Sequence, residues 1–321
     1  MFSRRRFIAI AALIAFAGSA AAGEWPEKPV RIIYPYAAGS TGDATARLIA
    51  RRLSDGFGQP FIVENRVGAN GVIGTDAVAR SAPDGYTLLW GATPQIAISP
   101  AMTKVPYDAS ADFVPITAVS TNRFALLVNA KVPVKTVAEF IEYVRAQPKA
   151  FTYAEGGAGS ISHLAMVLFL NRANLKGTNV SYKGSQPALT DVVAGHLPAM
   201  FALFGDALAQ AQNGAIRLLA VSSEQRSAQA PDVPTIAESG FPGFKTTSWW
   251  GLMAPARTPK VIVDRIAAEV SKTVKDPKIV EQLTAFGVDP VGSIPAEFAA
   301  MVHADIELWA QAVEFAGLRA K

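Results

Sequence analysis

Short β-branched and aromatic runs take turns with helix-period runs along almost the whole chain, and this alternation restricts its fold more than any other feature. The strand-like runs fall at 30–34, 61–64, 86–90, 124–128, 151–154, 179–182, 199–203 and 216–221. The helix-like runs fall at 48–53, 74–80, 137–145, 162–172, 188–194, 260–274 and 295–315. Parallel neighbours in a sheet need a crossover long enough to hold a helix, so this order builds sheets covered on both faces. The expected class is α/β, with mostly parallel sheets flanked by helices. At 321 residues the chain exceeds what one hydrophobic core usually serves, and two lobes are expected.

The first residues stand apart. "MFSRRRFIAIAALIAFAGSAAAGEW" carries three arginines, an apolar run and a small-residue end, which predicts a cleaved signal peptide over 1–22. Sec and twin-arginine export both fit. Cleavage would remove those three arginines and no acid, lowering the formal net charge from +4 to +1. The basic pI is thus no sign of a nucleic-acid partner. With no cysteine there is no disulfide, no thiolate metal site and no lipid attachment point. The mature protein is expected to be exported and soluble, without a membrane anchor.

The stretch "IIYPYAAGSTGDATARLIARRL", residues 32–53, reads as a strand, a small-residue loop and a helix opening. A helix N-terminus presents unpaired N–H groups and the positive end of the backbone dipole, so this loop can receive an anion. Thr41 or Asp43 capping the helix, with an Asp43–Arg47 pair at i,i+4, accounts for the same residues, and both readings stand at this level. No phosphate loop, zinc motif or paired metal-ligand spacing occurs, so no cofactor or metal is expected.

A second stretch, "ENRVGANGVIGTDAVARSAPDGYTLLWGATPQ", gives the pattern a family. With "TYAEGGAGSISHLA", "SYKGSQPALTDVVAGHLPAMF" and "WWGLMAPARTP", it resembles the Bug-type receptors of the tripartite tricarboxylate transporter family over essentially the whole mature chain. The opening loop is similar to that family's P-F-x-x-G-G-x-T-D. The resemblance implies a two-lobed periplasmic binding protein fold, type II-like, with the ligand cleft between lobes. Lobe one would comprise 23–121 and 247–321, lobe two 122–246, with crossings near 119–124 and 246–251.

It further implies a periplasmic receptor, not an enzyme, that captures a small organic acid as a monomer. The protein would engage membrane transporter subunits transiently, or a signalling partner. Implied ligand-binding residues in lobe one are Tyr36, Ala38, Gly39, Ser40, Thr41, Gly42, Asp43, Thr93 and Gln95; in lobe two they are Gly159, Ser160, His163, Lys183, Gly184, Ala202 and Phe204. Lys183 fits a solvated lysine as well as a cleft one. Backbone N–H groups and water would hold the carboxylate, without an arginine.

The chain departs from the family pattern in places. Ser40 replaces the loop's second glycine and Gly42 its threonine. Val167 and Ala202 stand where acidic or amide residues are common. If Val167, Ala202 and Phe204 face the cleft, a monocarboxylate with an apolar or aromatic body is favoured over citrate; if they are core residues, that inference lapses. The Trp249–Trp250 pair reads as packing at a crossover. An exported α/β hydrolase is the alternative function. It lacks a nucleophile, base and acid set, because Ser162 and His163, adjacent on a helix, point in different directions.

Overall fold

Ser248–Pro255, a strand with two adjacent tryptophans, lies at the centre of the larger sheet with strands distant in sequence on both sides. The computed structural model describes residues 25–319, and the signal-peptide reading over 1–22 lies outside them. The first part of the chain forms β1 (Val30–Tyr34), α1 (Thr41–Phe57), β2 (Phe61–Asn65), α2 (Val72–Ala79), β3 (Thr87–Ala92), α3 (Ser99–Met102) and β4 (Phe113–Asn122). The middle forms β5 (Phe124–Asn129), α4 (Val137–Arg145), β6 (Phe151–Glu155), α5 (Ile161–Arg172), β7 (Gly177–Ser181), α6 (Ser185–Ala194), β8 (Ala199–Leu203), α7 (Phe204–Gln212) and β9 (Ile216–Val221). The last part forms β10 (Ser248–Pro255), α8 (Lys260–Thr273), α9 (Pro277–Ala285), β11 (Asp289–Pro290) and α10 (Pro295–Phe315).

The larger sheet has the order β11-β4-β10-β3-β1-β2. β1 pairs parallel with β2 and β3, while β10 pairs antiparallel with both β3 and β4. β1 to β4 therefore run in one sense, as an alternating α/β chain requires, and β10 runs against them. The second sheet, β8-β5-β9, repeats the device: β5 is antiparallel to both neighbours. The parallel pair β6-β7 lies beside it, with β6 against β8. Each sheet thus takes in one reversed strand arriving from the other, β5 directly after β4 and β10 after the long loop that follows β9.

β4 and β10 are absent from the strand-like runs read in the sequence and only overlap the expected crossings, at 119–122 and 248–251. Pro115 interrupts the apolar run of β4; it is tolerated there because it sits at a register shift opposite Met253, outside the short stretch where β11 pairs. α7 was also missed, since it follows β8 without a break and its N-cap, Leu203, makes no side-chain capping bond.

The two sheets have separate cores. Val30, Ile32, Ile49, Leu53, Leu88 and Ile266 pack around the first; Leu126, Phe140, Phe169 and Phe201 around the second. α10 serves both. Phe298 and Val302 in its first half pack with Trp249 and Leu89, while Trp309, Ala312 and Val313 pack with the second core. Among the described residues no helix is long and apolar enough to cross a membrane.

Asp305, between those halves, is buried and accepts a hydrogen bond from Trp249 Nε1 at 2.8 Å. Burial pushes its carboxyl up to about 6, against the opposing pull of the Trp249 N–H and Lys245. Between about pH 4 and pH 6 the unfolded carboxyl loses its proton while the folded one keeps it, so this group's contribution falls as pH rises. Asp305→Asn should therefore gain stability relative to the parent across that window, reaching on the order of 1–3 kcal/mol at pH 7. Urea midpoints of both proteins from pH 4 to 7 check this; a difference that does not grow with pH counts against it.

Candidate functional site

The loop 36–40 leaves β1 and is held in shape by one carboxylate. Asp43 is buried; Oδ2 accepts from Gly39 N at 3.1 Å and Arg47 Nε at 3.0 Å, and Oδ1 accepts from Asn65 Nδ2 at 2.9 Å. Burial works to raise this carboxyl, but Arg47, Asn65 and the Gly39 N–H outweigh it and hold it below its ordinary value. Asp43 thus shapes the loop from a buried position and lines neither cavity. Ser40 is the N-cap of α1, accepting from Asp43 N at 3.3 Å, and its hydroxyl lies 2.8 Å from Tyr34 Oη. Side chains secure the turn, while the N–H groups of Thr41 and Gly42 in its first turn have no helical acceptor.

Gly42 has a steric reason. A Cβ there would come within 2.5 Å of Tyr34 Oη and 3.2 Å of a Trp250 ring carbon, which excludes the family's threonine. Thr93 and Gln95 are fully buried braces. Thr93 Oγ1 accepts from Trp249 N at 3.1 Å, and the Gln95 amide lies 3.0 Å from Tyr36 Oη.

Facing this loop is the N-terminus of α5. Ser160 caps it, accepting from His163 N at 3.3 Å, and Gly159 N donates to His163 Nδ1 at 3.2 Å. His163 is buried, and burial lowers its basicity against the opposing pull of Glu155. Its Nδ1 is turned back onto its own loop.

Two adjoining cavities separate these helix ends. One, of about 360 Å³, is lined by Tyr36, Thr41, Ala92, Pro94, Asn122, Phe124, Ile161, Gln186, Leu203, Gly205, Asp206, Ser248, Trp250, Phe286, Gly287 and Val288. The other, of about 370 Å³, shares Pro94, Phe124, Ile161 and Leu203 and is lined also by Asn70, Met102, the loop 156–160, Ser162 and Ser185. Of the residues named from the sequence, Tyr36, Thr41, Gly159 and Ser160 line this cleft. Ala38, Gly39 and Ser40 are exposed on the loop beside it, and Gly42 is buried beneath. Lys183 is exposed and lines neither cavity; Gly184 caps α6 just before Ser185.

Ala202 and Phe204 require a correction. Both are buried in a core with Leu127, Met200 and Val221, and Leu203 between them faces the cleft. A strand turns successive side chains to opposite faces, so Ala202 and Leu203 cannot share one. Val167 is half-buried and lines neither cavity. The apolar walls come instead from Leu203, Phe124, Trp250 and Phe286, which sequence reasoning missed. The tryptophan pair also divides: Trp249 is buried against Phe298 and Trp250 lines the cleft.

The sequence model of the "Tripartite tricarboxylate transporter family receptor" family matches residues 45–318. Protein BugT of Bordetella pertussis is 35% identical over 322 residues, covering 99% of each chain. A Rhodopseudomonas palustris protein solved with adipate is 34% identical, with TM-score 0.75, over 92% of this chain and 99% of that one. MatC from the same organism, solved with bound malate, is 31% identical, with TM-score 0.71, over 90% of this chain and 100% of that one.

Phe204→Ala should cost roughly 3 kcal/mol or more, as emptying a core aromatic site does. Leu203→Ala should cost about 1 kcal/mol or less, because much of that side chain is already exposed. Denaturant titration of both variants distinguishes a core Phe204 from a cleft one; equal losses would contradict the placement.

Proposed function

The chain belongs to the tripartite tricarboxylate transporter receptor family, and from that premise we propose that it captures a small organic carboxylate in the cleft between its sheets. The observation that carries the reading is the cleft itself. Two adjoining cavities of about 360 and 370 Å³ lie between the N-termini of α1 and α5, and among the described residues no basic side chain lines either. The partial positive charge and free N–H groups of a long helix end suit a carboxylate, and charge-assisted bonds of this kind are roughly twice as strong as neutral ones. Adipate and malate, held by the two solved relatives, are the size of ligand such a cleft takes.

In this reading residues 23–121 and 247–321 form one lobe and 122–246 the other, with α10 bridging them. The leader 1–22 directs export to the periplasm, where the receptor acts as a monomer and delivers its ligand to transporter subunits or a signalling partner. Site contacts run through Tyr36, the 38–42 loop, Gly159, Ser160 and Gly184, while Asp43, Thr93, Gln95 and His163 brace them. Binding without turnover is favoured over hydrolysis because Ser162 Oγ is bonded to Gly156 N and Ser160 Oγ, and His163 Nδ1 to Gly159 N.

A thermal-shift screen of di- and tricarboxylates, aromatic acids and amino acids should give at least one saturable rise in melting temperature. The same ligand should lower the radius of gyration measured by small-angle scattering as the lobes close. No shift with any acid would sink the proposal.

Ser40→Ala should weaken that binding by about 0.5–1.5 kcal/mol, the scale of one neutral hydrogen bond. Ser40→Pro, which also removes an N–H, should weaken it more. Calorimetric titration of the two variants checks the order; equal affinities in folded proteins would place the carboxylate elsewhere.

A further inference from the structure

The cleft carries a charge of the wrong sign for a ligand that is only a carboxylate. Asp206, in the first turn of α7, is among the described residues the one charged side chain lining the cavity of about 360 Å³. It is half-buried, and among the described residues it has no ion-pair partner; Gln186 Nε2 donates to its Oδ2 at 2.9 Å. Burial raises its carboxyl above the ordinary value, a sign of a site that wants compensating charge. Asn122, on the same cavity, spends its Nδ2 on Ser248 Oγ at 3.1 Å and leaves a buried Oδ1 without a protein partner. Trp250 and Phe286 add aromatic surface to the lining. Arg123 does not line this cavity and pairs with Asp289.

Acceptor oxygens and aromatic rings with no opposing cation suit an ammonium group, which donates three hydrogen bonds and is drawn to ring faces. The helix end at Thr41 suits a carboxylate on the same wall system. A further carboxylate set against Asp206 would instead meet like charge in a partly desolvated site.

We infer that Asp206 makes this cleft select carboxylates that also bear an ammonium group, amino acids above plain organic acids. The inference rests on the receptor reading, and matched ligand pairs separate the two. Glutamate and glutarate differ only by the ammonium, as do phenylalanine and 3-phenylpropanoate. For the intact protein at pH 7.5, the amino member of the better-binding pair is expected to bind at least about tenfold tighter. Asp206→Asn should bring that ratio to within about threefold while leaving the melting temperature near the parent's; Asp206→Ser serves where the amide does not fold. A plain acid that binds as tightly as its amino counterpart, or a ratio that survives in a folded Asp206 variant, overturns the inference and leaves the receptor reading intact. No binding of any carboxylate, amino or plain, overturns both.

Discussion

The ladder that β10 forms with β3 and β4 positions most of the groups that matter. Its alternation sends Trp249 inward, where the indole N–H reaches Asp305 and the backbone N–H meets Thr93 Oγ1. It sends Trp250 the other way, into the cleft and close against Gly42. Gly251 between Trp250 and Leu252 lets Phe298 of α10 lie on the strand itself, since a Cβ there would approach the Phe298 ring to 2.4 Å. One antiparallel strand thus couples the sheet, the bridging helix and the cleft wall.

The same economy operates in the loop after β1. A loop that opens a helix leaves N–H groups without helical acceptors and must still hold one conformation, and these demands conflict in an exposed small-residue loop. Asp43 resolves the conflict from beneath: it bonds Gly39 N, Arg47 and Asn65, while Asn65 Nδ2 also donates to Tyr36 O at 3.1 Å. The exposed residues are ordered by a buried one, which leaves the first turn of α1 available to an anion.

One short crossing, one long loop and α10 join the halves of the molecule. Between β4 and β5 only Arg123 intervenes, paired with Asp289 of β11. α10 packs its first half on one core and its second on the other, so any closing motion must be accommodated by rotation about these links. Gly205 of α7 and Gly287 after α9 face each other at the edge of the cleft, where a Cβ on either would sit in ordinary van der Waals contact with the other's Cα, at 3.6 and 3.8 Å.

The class of the fold was legible because alternation of strand and helix is written locally: β1, β8, β9, α4 and α10 fall where their periodicity places them. The loop at 36–43 was legible for the same reason, since small residues before a helix mark an N-terminus wherever it is found. β4 and β10 were not, because a strand broken by Pro115 or holding Gly251 is stabilised by its neighbours more than by its own propensity. Side-chain orientation divided in the same way. Periodicity fixes that Ala202 and Leu203, or Trp249 and Trp250, point to opposite faces, but not which face meets a core and which a cavity. That choice, and with it the exposure of Asp206 to the cleft, belongs to how the two sheets and their helices are set across the cavity, because burial is a property of what lies opposite a residue in space and not of its neighbours in the chain.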